Sequence, residues 1–452
     1  MNEQELKFRK MTEPPVQGLI CRLALPCIIS MLVTSFYNMA DTFFVGMLDN
    51  PSATAAVGVV FSLMAIIQAV GFFFGHGSGN YISRELGKKN YQEASNMAAT
   101  GFFSAMMAGL LICVAGMIFL DPLSYVLGST DTILPYTRDY LRIILLGAPW
   151  MAGSLVLNNQ LRYQGSANYA MIGIVSGAIL NIILDPIFIF QLDLGVSGAG
   201  WATIISQFVS FCILLVGCSK GSNIHIHIKH IKFQWFYFNM IIRGGLPSLA
   251  RQCLASFATI CLNKAAGSYN DAAVAAMSIV QRIMMFGAST VIGFGQGFQP
   301  VCGFNFGAGL YQRVRQGFWF CIKLSLVFLT AVSALMFIFA PEMISWFQSD
   351  AEVIRYGTLA LRFQCISFPA HSWIVMSNMM EQSIGRTASA TFLSAARQGV
   401  FFIPAILLLN YFLGLTGVQV AQAVADLLTL VCAIPIHIYV LKTMEPLKTN
   451  TL

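Results

Sequence analysis

Two carboxylates stand where carboxylates are rare. Asp41 falls in Phe36-Tyr37-Asn38-Met39-Ala40-Asp41-Thr42 and Asp185 in Asn181-Ile182-Ile183-Leu184-Asp185-Pro186, each within a long apolar stretch. Asn38 and Asp41 are three residues apart, and Asn181 and Asp185 four, so on a helix each pair shares a face. A charged side chain at the centre of a bilayer costs at least about 2.5 kcal/mol on insertion scales, so it reads first as functional. Carboxylates backed by amide oxygens suit a hard cation, which takes oxygen ligands, or a shared proton. The plainer alternative is that each aspartate hydrogen-bonds a neighbouring helix.

The remaining polar residues inside apolar stretches say less. Asp426 has no acidic counterpart, and the partners of Arg251, Arg282 and Arg397 are not readable from sequence. Glu381 reads as the solvated end of a helix. Arg142 and Arg362 occupy matching positions and read as structural. The run Ile224-His225-Ile226-His227-Ile228-Lys229-His230 lacks a nearby carboxylate or thiol to complete a metal shell, so no metal site is expected there. There is no H-E-x-x-H, G-x-S-x-G or phosphate-loop motif, so an enzyme is not expected. Gly75-His76-Gly77-Ser78-Gly79 superficially suggests a nucleophile or phosphate loop. Its later copy, Gly295-Gln296-Gly297-Phe298-Gln299, lacks both His and Ser, so close helix packing is the better account.

These residues need helices to hold them. Of 452 residues, 57% are hydrophobic and only 10% charged, against about a quarter charged in soluble domains. Twelve stretches are long enough to span a bilayer: roughly 17–45, 54–80, 96–120, 135–157, 169–191, 197–217, 241–266, 272–302, 316–340, 353–379, 389–412 and 416–441. Backbone groups in lipid must bond within their own segment, so the spans should be helices. No alternating strand pattern is present. The eleven cysteines are scattered and read as small apolar fillers. The N-terminal apolar stretch is too long for a signal peptide.

Charge sets the expected topology. Loops near 46–53, 121–134, 192–196, 267–271, 341–352 and 413–415 contain no Lys or Arg, although Asp49, Asp121, Asp131 and Asp193 lie among them. The opposite loops carry Arg84, Lys88, Lys89, Arg162, Lys220, Arg313, Arg315 and Arg386, and Lys7, Arg9, Lys442 and Lys448 lie near the termini. The positive-inside rule therefore places both termini in the cytoplasm of a multi-pass inner-membrane protein. The net charge of +7 belongs to a membrane face and calls for no nucleic-acid partner.

The second half repeats the first. Gly75, Gly77, Gly87, Tyr91 and Gln92 match Gly295, Gly297, Gly307, Tyr311 and Gln312, and Tyr136, Leu141, Arg142 and Pro149 match Tyr356, Leu361, Arg362 and Pro369, all at an offset of 220. Leu25-Pro26 meets Leu246-Pro247 at 221, and Gly195 with Gly198 meets Gly414 with Gly417 at 219. The expected fold is all-α and integral to the membrane. Its twelve transmembrane helices form two six-helix bundles related by a pseudo-two-fold along the membrane normal. The expected division is an N-lobe over 1–217, a cytoplasmic linker over 218–240 and a C-lobe over 241–452. Pro26 and Pro186 interrupt helices and read equally as hinges or fixed bends.

Leu25-Pro26, Asp-Thr-Phe-Phe-Val-Gly at 41–46, Tyr-Ile-Ser-Arg-Glu-Leu-Gly at 81–87, Leu-Asn-Ile-Ile-Leu-Asp-Pro at 180–186 and Gly-Val-Ser-Gly-Ala-Gly-Trp-Ala-Thr at 195–203 carry a resemblance over nearly the whole chain. The sequence resembles the multidrug and toxic compound extrusion (MATE) family, in its DinF-like, MepA-like bacterial branch. The resemblance implies a secondary antiporter that exports apolar, often cationic, small molecules in exchange for H+ or Na+, with no other cofactor. It implies a cation site of Asp41, Asn181, Asp185 and Thr203, the position any Na+ would take, and a helix 1 hinge at Pro26. Tyr37, Asn38 and Asn158 are the expected cavity residues. Drugs and organic cations are the expected small-molecule partners, with the bilayer as surroundings and the chain a monomer. Some related proteins place essential acids in C-lobe helices 7 and 10; here 241–266 contains no acid and the only acid near helix 10 that could serve is Glu381 at its end, which puts the weight on the N-lobe. The alternative is a lipid-linked oligosaccharide flippase of the same superfamily, for which the acidic N-lobe is a poor fit.

Overall fold

The computed structural model describes residues 3–47 and 50–444, with backbone only for Asn38, Thr42 and Pro51. Asp49, Lys448 and the Asn38 side chain lie outside the described residues. Among those residues the chain is helical, with no strand. In order the helices are α1 (Glu3–Thr12), α2 (Val16–Gly46), α3 (Pro51–Gly87), α4 (Tyr91–Ile118), α5 (Leu120–Val126), α6 (Leu134–Tyr163), α7 (Ala167–Pro186) and α8 (Gly195–Cys218). They continue with α9 (Trp235–Gly267), α10 (Asp271–Gly307), α11 (Tyr311–Ile338), α12 (Ala340–Ser345), α13 (Ala351–Ser367), α14 (Ala370–Ile384), α15 (Thr387–Ala395), α16 (Phe402–Leu413) and α17 (Leu415–Thr443). Short π turns follow α7 over Ile187–Gln191 and α15 over Ala396–Val400.

Each expected apolar stretch coincides with helix. Among the described residues, ten helices are long and apolar enough to cross a membrane. The other two stretches are helical but weaker by composition or length. α9 carries Arg243, Arg251 and Lys264, and the stretch at 353–379 is broken at Phe368-Pro369 into α13 and α14. The short helices α1, α5 and α12 had no hydropathy signal.

The repeat reaches down to individual turns. Asn50 caps α3 by accepting from the Ser52 and Ala53 amides at 3.1 and 3.2 Å, and Asn270 caps α10 by accepting from Ala273 at 2.8 Å. Such caps satisfy amides that the first turn leaves free. After α3 the chain turns through Lys89 at φ 61, and after α10 through Gly309 at φ 75, 220 residues later. The closing bonds match too: Asn90 N to Glu85 O and Leu310 N to Asn305 O, both 2.8 Å.

The chain forms two compact units, one of residues 1–14 with 25–245 and the other of residues 15–24 with 246–452. Compared with lobes of 1–217 and 241–452, this grouping assigns 15–24 to the second unit and the linker with 241–245 to the first. In the first unit α6 packs on α3, α4 and α8 and is the most buried of the spans. Glycines hold the early part of α9 and of α2 within their respective units. A Cβ on Gly77 would run into the Ile241 backbone, and one on Gly297 into the Ala24 backbone.

Candidate functional site

The acidic cluster lies within the first unit, on α2, α6, α7 and α8. Asn181 and Asp185 are buried one turn apart on α7, and the Asn181 Nδ2 donates weakly to Asp185 Oδ1 at 3.4 Å. Asp185 interacts electrostatically with Asp41 on α2. Thr203, buried on α8, faces Tyr37 and Tyr140, and Tyr37 also meets Gln207. Asp41 Oδ1, Asp185 Oδ2 and Asn181 Oδ1 are all shielded from solvent with no hydrogen-bond partner, and the Thr203 hydroxyl interacts with those of Tyr37 and Tyr140. Leaving a buried polar atom unpaired costs about 1–3 kcal/mol, and native proteins keep few of them. Three such oxygens in one neighbourhood, two of them on carboxylates, can coordinate a small cation or take up a proton, with the Thr203 and Tyr140 hydroxyls beside them.

The structure brings all four expected cation-site residues together. Tyr140 and Gln207 are additions. Gln207 lies one turn after Thr203, so helical spacing could have found it, whereas nothing in the sequence near Tyr140 marks it. Of the expected cavity residues, Tyr37 lies at the cluster. Asn158 uses its Nδ2 to bond the Ala170 carbonyl of α7 at 3.0 Å. Pro26 lies inside α2, which runs on without a break. With no N–H at Pro26, the Arg22 carbonyl loses its helical donor. Ser30, Thr34 and Ser35 donate back to the carbonyls of Pro26, Ser30 and Met31 at 2.8–3.0 Å, contacts that soften and bend helices.

The MatE family model matches residues 26–187 and matches again over 247–408. The chain belongs to the MatE family. Its two MatE segments are 221 residues apart, the spacing of the two Leu-Pro pairs. Asp41, Asn181 and Asp185 fall within the first segment, and Thr203 lies beyond it. The multidrug export protein MepA of Staphylococcus aureus strain NCTC 8325 is 28% identical over 455 residues, covering 100% of this chain and 99% of that one. The MepA of Staphylococcus haemolyticus is 27% identical over 94% of each chain. Among solved structures, a MATE protein in the bent conformation superposes with a TM-score of 0.90 at 26% identity, covering 98% of each chain. A multidrug resistance MATE family transporter in an outward-facing conformation also gives 0.90, at 27% identity over 96% of this chain and 98% of that one. With its apolar helices, this MatE chain is a multi-pass membrane protein.

The second unit holds other charged side chains inside its helices. Arg397, in the π turn, donates from Nε to Asp426 Oδ1 at 2.8 Å, Gln422 donates to the same oxygen at 2.9 Å, and Ser367 reaches Oδ2 at 3.4 Å. Asp426 is thus tied within its own unit. Glu381 is not a wet helix end: it is fully buried, 3.6 Å from the equally buried His437, on whose ring Phe318 stacks at 3.9 Å. Arg362 donates to the Phe337 carbonyl at 3.2 Å, in the last turn of α11. His76 and Ser78 lie buried inside α3, where Ser78 bonds Phe74 O and Gln160. They are helix packing, not a loop. Among the described residues no group of three or more His, Cys, Asp or Glu could hold a metal ion.

Proposed function

We propose that the chain is a secondary multidrug efflux antiporter that exports apolar, often cationic, small molecules in exchange for H+ or Na+ by alternating access. The observation that carries this reading is the set of unpaired oxygens around Asp41 and Asp185 in the first unit. Two carboxylates in a low-dielectric site repel each other strongly when both are charged. One bound cation relieves that repulsion and also gives the orphaned oxygen of Asn181 a partner. Loading and unloading the cluster therefore changes the local charge, and a helix that carries one of the acids responds to it.

α2 is that helix. It holds Asp41 in its later part and Pro26, followed by three back-bonding hydroxyls, in its earlier part. The passage from second-unit to first-unit grouping falls between Ala24 and Leu25. Occupancy at Asp41 thus acts on a helix with a soft point at Pro26, and the ion gradient supplies the work. The names of the S. aureus and S. haemolyticus relatives support export of several drugs, and the acidic cluster favours cationic ones.

The test is ethidium efflux from proteoliposomes with an imposed proton or sodium gradient. Wild type should export the dye under at least one gradient. Asp41→Asn should insert normally and export below a tenth of wild type, and Pro26→Ala should bind dye but turn over slowly. Undiminished export by a chain carrying both Asp41→Asn and Asp185→Asn would refute the coupling role.

A further inference from the structure

The linker carries chemistry that the export reading leaves unused. Between Asp193 and Asp271 the chain has no acid, whereas Lys220, Lys229, Lys232 and three histidines fall within 218–240. Glu93, the one acid of α4, is taken by Tyr237, whose hydroxyl donates to it at 2.8 Å. The linker is fastened along α4. The Lys232 amide donates to Thr100 Oγ1 at 3.1 Å, the single 3₁₀ turn Ile228–His230 packs on α4, and Ile226 packs against a core that includes Phe102 and Leu157. His225, His227 and Lys229 stay exposed. The segment thus lies on the helix with apolar side chains inward and cations toward water.

Beside it, within the first unit, is a cavity of about 650 Å³. Ile231 and Phe233 of the linker line it, with Phe103, Met107 and Leu111 along α4, and Ser104 is the only polar residue of its wall. Cavities of roughly 300–1,000 Å³ hold small ligands. From Phe103 to Leu111 the helix rises about 12 Å, so the space runs along α4 from just past Thr100, where the linker is tied. Met107 is 57% and Leu111 63% exposed, so the cavity is open along that side, where a transmembrane helix meets hydrocarbon. At the linker end Phe233 and Trp235 are 85% and 73% exposed, and aromatic rings of this kind settle at the headgroup level of a bilayer. Lysines beside a membrane attract anionic lipid, each contributing about fivefold in affinity. A long apolar slot, interfacial rings and a cationic rim match the three layers of one class of molecule.

We propose that the linker and this cavity form a site for an anionic phospholipid, whose phosphate meets Lys229 and Lys232 and one of whose acyl chains lies along α4. The site uses no residue of the cation cluster and its test needs no gradient, so its failure would leave the export reading standing.

The experiment is native mass spectrometry of the delipidated full-length chain in detergent, titrated with dioleoyl phosphatidylglycerol and, separately, dioleoyl phosphatidylcholine. The glycerol lipid should bind at least tenfold more tightly. Lys229→Gln with Lys232→Gln, which keeps the Lys232 backbone bond, should bring it within threefold of the choline lipid. Ala108→Phe, which fills the cavity from α4, should weaken both lipids at least fivefold. Dihexanoyl phosphatidylglycerol, with the same headgroup on short chains, should bind at least tenfold more weakly than the dioleoyl form, and decides the role of the cavity if Ala108→Phe does not fold. Equal binding of the two dioleoyl lipids would overturn the proposal, as would a preference that survives loss of both lysines or displacement of the lipid by equimolar glycerol phosphate.

Discussion

Asn158 and Asn378 make the same bond 220 residues apart. Asn158 Nδ2 donates to the Ala170 carbonyl at 3.0 Å, and Asn378 Nδ2 donates to the Ala390 carbonyl at 2.6 Å. In each unit an amide near the end of one helix ties down the first turns of the next. Asn378 adds a bond to Ser394 at 2.8 Å.

Asn158→Ala should therefore act on stability. A net hydrogen bond is worth about 1 kcal/mol, so the temperature of half-loss of monodisperse protein in detergent should fall by a few degrees. Asn378→Ala should cost more, because the Ser394 hydroxyl loses its partner too. An Asn158→Ala chain with unchanged thermal stability and a raised KM for ethidium would instead place Asn158 in the substrate path.

The cation cluster predicts a graded series. Thr203→Val keeps the side chain's shape and deletes one candidate ligand oxygen of the proposed site. Efflux should persist in that variant but need roughly tenfold more driving cation, the scale of one lost ligand at about 1.4 kcal/mol. Tyr140→Phe, which removes a more peripheral oxygen, should shift the same curve less. Titrating dye efflux against sodium at fixed pH, and against pH at fixed sodium, gives both numbers. An unchanged cation requirement in Thr203→Val would remove that hydroxyl from the site.

Much of this arrangement is legible from sequence for a physical reason. Lipid demands long apolar helices, so hydropathy marks the spans. A charged residue inside them stands out, and Asp41 and Asp185 are conspicuous for that reason. Thr203 is different, because a threonine on an apolar helix carries no local signal and only family resemblance pointed to it. Tyr140 was invisible because its neighbours are far away in sequence. Glu381 was misread because it sits just before Gly385 and Arg386, a normal helix end. Its burial comes from His437, on a helix that begins more than thirty residues later. The helix α1 escaped because it is short and polar, and only its tertiary contacts hold it.

The Glu381–His437 contact predicts an asymmetry. Both side chains are fully buried, and neither has a hydrogen-bond partner beyond the 3.6 Å contact between them. Removing one member of a buried pair costs about 3–5 kcal/mol when it leaves the other buried as an uncompensated charge; His437→Ala leaves the carboxylate so, whereas Glu381→Gln leaves an imidazole that can be neutral. His437→Ala should sharply lower the yield of folded protein, since it also removes the ring that Phe318 stacks on. Glu381→Gln should be neutral or stabilising. Thermal inactivation in detergent compares the two, and a Glu381→Gln chain that denatures as early as His437→Ala would mean that the carboxylate itself holds the fold.

The N-terminal helix predicts a pH dependence. Lys7 donates to the Ser222 carbonyl at 3.2 Å and to Asn223 Oδ1 at 2.8 Å. Asn223 is a junction, since it also accepts from Ser166 and donates to the Gly217 carbonyl at 2.9 Å. α1 is thereby fastened to the end of α8 and to the turn before α7. Docking strips water from the Lys7 ammonium, and burial pushes its pKa down to about 7, against 10.5 when free. Between those two values the docked form binds fewer protons than the released one, so docking strengthens as pH rises through about 7 to 10.5 and is weakest, and level, below 7. One proton sets an upper limit of about tenfold per pH unit. Hydrogen-exchange protection of residues 3–12, corrected for intrinsic rates, should therefore be several times higher at pH 8.5 than at pH 6. Lys7→Met, which has nothing to titrate, should show a flat profile. A wild-type profile as flat as that of the variant would show that the Lys7 ammonium keeps its water, and that α1 is held by its other contacts, such as the Lys89 ammonium over the Phe8 ring at 4.3 Å.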